Sequence, residues 1–158
     1  LSSQRVNPLL NLLYRLQRLL WRLFRPRTRG VKVMLFNHAG EIVLIRNSYG
    51  RSDLFLLPGG GIRPFETPAA AAAREVKEEL GCGVADLAFV ATYFSTAQGK
   101  RDTIHLFRAR AVGPARADGV EVAEARYFPL DRLPPNTSPA TARRLAEHRG
   151  ASQASAAW

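Results

Sequence analysis

The chain has 158 residues, 46% hydrophobic and 23% charged, proportions that suit one soluble globular domain with a sizeable core. Its single cysteine excludes an internal disulfide and a Cys-based zinc site, and makes a reducing, cytoplasmic setting the expectation. The formal charge of +10 is uneven: residues 1–29 carry seven Arg and no acid, while the rest contributes only +3, so the high pI is a weak argument for a nucleic-acid partner.

Asn7-Pro8 opens a helix, because Asn caps and Pro fits the first helical position. Helical periodicity runs from Leu9 to Phe24. Arg15, Arg18, Arg22 and Arg25 line one face. Leu9, Leu12, Leu13, Leu16, Leu19, Leu20, Leu23 and Phe24 cover the rest, with Tyr14 and Trp21 at the flanks. That apolar arc is wider than one small domain needs. The run is too short and too interrupted by Arg to span a bilayer, and no small-residue cleavage site marks it as a signal peptide. Several readings stay open: packing on its own domain or on a second copy as a homodimer, peripheral contact with an anionic membrane, and, least favoured, nucleic acid.

Arg25 to Gly30 reads as a linker, Val31 to Phe36 as a strand, Asn37 to Gly40 as a turn and Ile42 to Ile45 as the hairpin partner. Asn47 to Asp53 is a polar loop; Arg46 and Arg51 beside it can reach a phosphate or simply face water. Leu54 to Leu57 is a brief strand that runs into Pro58 and three glycines. The bare backbone of Gly59 to Gly61 allows close approach to a metal or phosphate.

Glu66-Thr67-Pro68 starts a second helix, the Ala69 to Ala73 run favours it, and Leu80-Gly81 stops it. Ala69, Ala72, Ala73, Val76 and Leu80 share its core face. Glu75, Glu78 and Glu79 fall together on a neighbouring face. Their mutual repulsion, about a few tenths of a kcal/mol per pair, calls for a cation. Arg74 and Lys77 sit elsewhere on the wheel and are not obvious partners. A hard divalent ion, Mg²⁺ or Mn²⁺, suits three carboxylates; a solvated acidic face is the competing reading.

Val84 to Phe94 and Thr103 to Ala111 read as longer strands. Lys100 and Arg101 lie near the tip between them, placed to meet a substrate anion or to project into water. His105 reads as a hydrogen-bonded sheet residue. Glu121 and Glu124 precede a last strand, Ala125 to Phe128. Ser138-Pro139 caps a final helix reaching about His148, and the tail from Gly150 is expected to fray apart from Trp158.

The spacing Gly60, five residues, Glu66, seven residues, Arg74-Glu75-Val76-Lys77-Glu78-Glu79-Leu80-Gly81 resembles the Nudix box, with Cys82 where a bulky aliphatic is usual. The likeness extends from about Gly30 to Pro134, taking in Leu57-Pro58-Gly59-Gly60 and the segment from Glu121 to Phe128. It implies a Nudix-type α/β/α sandwich with a mixed β-sheet over residues 30–149, preceded by the helix and linker of 1–29 and followed by the tail of 150–158. It further implies metal-dependent hydrolysis of a nucleoside diphosphate linked to another group. Glu75, Glu78, Glu79 and Gly60 would then hold Mg²⁺ or Mn²⁺, and Glu66 would pair with Arg74 to brace loop and helix. The general base would be a box residue, Glu78 or Glu79, or a later acid, Glu121 or Glu124. Phe55 stands where relatives often stack a base, and a core role is equally open. A small nucleotide of the triphosphate type is the first expectation, because the chain lacks room for a second substrate domain. ADP-ribose or a nucleotide sugar is the alternative. A non-catalytic nucleotide-binding module, tethered to a membrane or partner, is the reading from another class, and the intact box argues against it.

Overall fold

Alternation along two short strands decides the layers. The computed structural model describes residues 7–24, 27–99 and 101–158. Arg25 and Lys100, both weighed above, lie outside the described residues, as do the side chains of Trp21 to Phe24. The elements are α1 (Pro8–Phe24), β1 (Arg27–Phe36), β2 (Ile42–Asn47), α2 (Pro68–Leu80), β3 (Gly83–Ser95), a 3₁₀ turn (Ala97–Gly99), β4 (Arg101–Val112), β5 (Val122–Phe128) and α3 (Pro139–His148).

Successive strand residues point to opposite faces. Val31, Val33 and Leu35 of β1, with Val43 and Ile45 of β2, pack against Ala71, Ala72, Val76 and Leu80 of α2. Met34, Ile42 and Leu44 point the other way, to Leu145 of α3, Phe55 and Tyr93. One sheet thus serves two cores, and the α/β/α sandwich follows. Its order is β3-β4-β1-β2-β5. The pair β1–β4 is parallel and the other pairs are antiparallel, which makes the sheet mixed.

Three stretches differ from the sequence reading. Arg27 to Gly30, expected as linker, are the start of β1 and pair with Arg101 to Ile104. The Thr28 hydroxyl donates to Asp102 at 2.8 Å across that pair. The tail does not fray. Phe94 N–H donates to Ala156 O and Trp158 N–H donates to Phe94 O, each at 2.9 Å, so the tail covers part of the β3 edge. Leu54 to Leu57 makes isolated bridges, Ile45 with Leu56 and Phe55 with Thr137, instead of a strand of its own. His105 meets the Thr92 hydroxyl at 3.0 Å, as a sheet residue should.

Candidate active site

The acidic helix is placed by its ends. Thr67 Oγ1 accepts the Ala70 N–H at 3.2 Å, Pro68 fills the first position, and Gly81 closes the helix at φ 67°. The buried face is Ala71, Ala72, Val76, Glu79 and Leu80, rotated from the expected set: Ala69 is exposed and Glu79 is inside.

The glycine loop lies along β1. Val31 N–H donates to Gly60 O at 2.9 Å, Val33 N–H to Pro58 O at 3.0 Å and Ile62 N–H to Arg29 O at 3.0 Å. Lys32 Nζ holds the Leu57 and Gly59 carbonyls at 2.9 and 3.1 Å. Gly59 has φ 134°, and a Cβ there would stand 2.2 Å from Val31 O. A Cβ on Gly60 would stand 2.7 Å from Glu75 Oε1. Gly59 is therefore required by the Val31 backbone and its positive φ, whereas a side chain on Gly60 would push the Glu75 carboxylate aside.

Under this loop lies Glu79, 8% exposed, whose Oε2 accepts the Gly59 N–H at 2.8 Å. Burial pushes its carboxyl up to about 7, and the charges of Glu75 and Glu121 push the same way against Lys32 and the Gly59 N–H. Glu75 is largely buried and Glu78 is half exposed.

Arg74 is the partner that the helical wheel did not show. Its Nε and Nη2 grip Glu66 at 2.7 and 2.9 Å, Nη1 reaches Glu75 at 2.7 Å and Glu78 at 3.0 Å, and Nη2 also donates to Gly61 O at 2.8 Å. Five bonds match the five N–H donors of a guanidinium. Arg63 adds a bond to Glu78 at 2.9 Å. The Arg74 bond and the Arg63 backbone N–H hold the Glu66 carboxyl down at about 2.

A carboxyl lowered on folding contributes stability that is present above its ordinary 4.5 and lost as pH falls toward 2. Glu66→Gln should therefore lower the melting temperature at neutral pH and flatten its fall between pH 4.5 and 2. Activity should fall less than in variants of Glu79. Unchanged stability with a larger activity loss would place Glu66 among the reacting groups.

Two residues beside the acids were missed in the sequence. Tyr49, in the loop after β2, has its phenol pushed up to about 12 by burial, then by Glu121, Glu79, Tyr14 and Glu75. Its proton is held throughout the neutral range, next to the acidic cluster. An aromatic inside the polar stretch Asn47 to Asp53 was the available signal. Lys32, a cation within an apolar strand, was the other. Glu121 is positioned through its backbone: its N–H donates to Asp118 Oδ1 at 3.1 Å and its carbonyl accepts the Ser48 N–H at 2.9 Å. Burial raises its carboxyl pKa, and Asp118, Glu75 and Glu78 add to the shift.

The remaining candidates lie elsewhere. Arg46 and Glu124 face each other in the β2–β5 register and form an ion pair, with Arg46 Nε 2.7 Å from Glu124 Oε2. Arg46 also lies 5.4 Å from the Phe55 ring, and Phe128 meets the same ring edge-on at 5.0 Å. Phe55 is 5% exposed and belongs to the core on the α3 side. Arg51 is exposed and 3.6 Å from Asp53. Arg101 is exposed at the start of β4.

Among the described residues, no three His, Cys, Asp or Glu are drawn together as a ready metal site. The donors nevertheless fit a hard divalent cation. Glu75 and Glu79 offer oxygen alone, the Glu79 charge is undercompensated, and the missing side chain of Gly60 leaves space against Glu75. Gly60 O already accepts Val31 N–H, and Glu78 turns outward to Arg63 and Arg74.

A mixed sheet between helical layers, with a glycine loop laid over an acidic helix, makes the protein an α/β/α sandwich whose carboxylates gather at one end of the loop–helix unit. The sequence matches the NUDIX domain over residues 26–148, and the chain belongs to the Nudix hydrolase family. It is 33% identical over 129 residues to a Bacillus subtilis (strain 168) protein provisionally named an 8-oxo-dGTP diphosphatase, covering 80% of this chain and 83% of that one. It is 34% identical over 104 residues to an uncharacterised Nudix hydrolase of Pseudomonas aeruginosa, covering 63% of this chain and 62% of that relative's length. The crystal structure of a MutT NUDIX hydrolase from Burkholderia pseudomallei superposes with a TM-score of 0.68 at 24% identity, over 75% of this chain and 95% of that one, and shares the fold.

Proposed function

We propose that the protein is a metal-dependent pyrophosphohydrolase of small nucleoside triphosphates. The observation that carries this reading is the buried Glu79 carboxylate, held by Gly59 N–H and influenced by the charges of Glu75 and Glu121. The name of the Bacillus subtilis relative supports a triphosphate, with an oxidised purine nucleotide as the first candidate. In the reaction, water adds to one phosphorus and a P–O–P bond breaks. The products are a nucleoside monophosphate and pyrophosphate, and the proton of the water goes to a base. When bound, Mg²⁺ or Mn²⁺ held by Glu75 and Glu79 neutralises phosphate charge and acidifies water. Arg74 holds the glycine loop and helix in one geometry, and the protonated Tyr49 phenol offers an O–H donor at the site.

Glu121 is the better base. Glu124 is engaged by Arg46 and lies 3.4 Å from Arg126, whereas Glu121 has no ion pair among the described residues and a raised affinity for protons. The outward leucines of α1 add an association surface to this reading, suited to a second copy or an anionic bilayer.

The test is hydrolysis of a panel comprising ordinary triphosphates, 8-oxo-dGTP, ADP-ribose and a nucleotide sugar, with Mg²⁺ or Mn²⁺. Monophosphate and pyrophosphate from a triphosphate are expected, and preference for ADP-ribose or the sugar overturns the substrate class. Glu121→Gln should cut kcat at least about tenfold with KM little changed, and Glu124→Gln should cost much less. The reverse ranking moves the base to Glu124, and two silent variants return it to the box.

A further inference from the structure

Helix α1 sits on the domain with its polar face inward. Asn7 N–H donates to Ser48 O at 3.1 Å, and Asn11 Oδ1 accepts the Gly50 N–H at 2.9 Å. The Tyr14 ring lies 5.6 Å from Tyr49, and is close enough to Gly50 that a Cβ there would approach it to 2.9 Å. Residues 7, 11 and 14 form one stripe at helical spacing. The opposite face carries Leu9, Leu12, Leu13, Leu16, Leu19 and Leu20, each 51–65% exposed. A helix recruited only to complete its own domain would bury the leucines and show the asparagines.

We infer that α1 docks the protein on an anionic lipid bilayer, with the leucine face in the interfacial region and the arginines drawn toward the headgroups. Charge selects this occupant. Residues 1–29 hold seven Arg and no acidic residue. Two copies meeting through their leucines would bring these segments within about a Debye length, ~10 Å, with no carboxylate in either to answer the charge. Anionic headgroups supply the missing counter-charge. Nucleic acid could meet the exposed Arg15 and Arg18 but would leave the exposed leucines without an apolar partner. The helix has 17 residues, and no helix among the described residues is long and apolar enough to cross a membrane. It can therefore lie in the surface plane, as amphipathic helices do.

The test is co-sedimentation of the full chain with phosphatidylcholine vesicles, with and without phosphatidylglycerol, alongside sedimentation equilibrium without lipid. Expected are a monomer in solution, binding to the phosphatidylglycerol vesicles, and weaker binding as salt rises. The double variant Leu12→Gln, Leu16→Gln keeps helix propensity and alters side chains that are more than half exposed and belong to neither core. It should bind these vesicles at least about tenfold more weakly, with nucleotide hydrolysis unchanged. Arg15→Gln with Arg18→Gln should weaken binding and its salt dependence together. No sedimentation with anionic vesicles overturns the inference, as does equal binding to neutral ones. A dimer that the leucine variant converts to monomer assigns the face to a second copy and overturns it as well.

Discussion

Glu79→Gln should cut hydrolysis at least about tenfold and, in chelator at pH 8, raise the melting temperature. The two effects share one cause. Folding lifts this carboxyl from 4.5 to about 7, so the folded state resists its ionisation. For an acid raised on folding, the cost is absent below pH 4.5, grows between 4.5 and 7, and is complete above 7. At roughly 1.4 kcal/mol per unit, it reaches at most about 3 kcal/mol. Glutamine keeps the shape and an oxygen for the Gly59 N–H, and carries no charge to bury. The variant should match the parent near pH 4 and exceed it at pH 8, and excess Mg²⁺ should narrow the gap by stabilising the parent. Near-normal hydrolysis, or a lower melting temperature at pH 8, removes Glu79 from the role assigned to it.

Arg144→Ala should destabilise the fold by about 3–5 kcal/mol, measured by denaturant unfolding. The side chain is 0% exposed and donates to Glu147 at 2.8 Å and to the Ala157 carbonyl at 2.9 Å. Its guanidinium carbon stands 4.1 Å from the centre of the Tyr93 ring and 5.8 Å from that of Trp158. Alanine would take the cation from the nearly buried Glu147, leaving it to the Tyr93 hydroxyl and Ser155 N–H, and would remove the buried anchor of the tail. Arg143, which reaches Trp158 O from an exposed position, is the control, and Arg143→Ala should cost well under 1 kcal/mol, about the value of a surface contact. A loss below about 1 kcal/mol for Arg144→Ala would mean that the tail is not clasped.

Local chemistry was readable where the chain acts locally. Thr67, Pro68 and Gly81 bound α2 because caps are set by neighbours within four residues. The hairpin of β1 and β2 follows from its turn and alternation. Contacts distant in sequence were not readable. Arg27 to Gly30 are strand because Arg101 to Ile104 lie beside them, a parallel pairing with no local signature. A helical wheel gives the directions of Cα–Cβ bonds, and so it missed the reach of the long Arg74 side chain to Glu66, Glu75 and Glu78 together. It also missed the burial of Glu79, which is produced by Gly59 folding over the helix from outside it. Arg46 and Glu124 became partners through the β2–β5 register. Tyr49 was legible only as an oddity, since its acidic neighbours come from α2 and the segment before β5.

The stitching of the glycine loop to β1 sets the two walls of the site apart. Bonds from Val31, Val33 and Lys32 join residues 57–60 to a strand flanked on both sides by other strands, near the middle of the sheet. That loop moves only when these bonds to the central strand break together. The turn at 48–50 is held differently, by Asn7, Asn11 and Tyr14 of α1 and by Ser48 bonded to Glu121. Its α1 contacts come from a helix that contributes no described residue to either core. One wall of the site is thus tied to the central strand and the other leans on α1, so loss of the α1 contacts should loosen the Tyr49 side first.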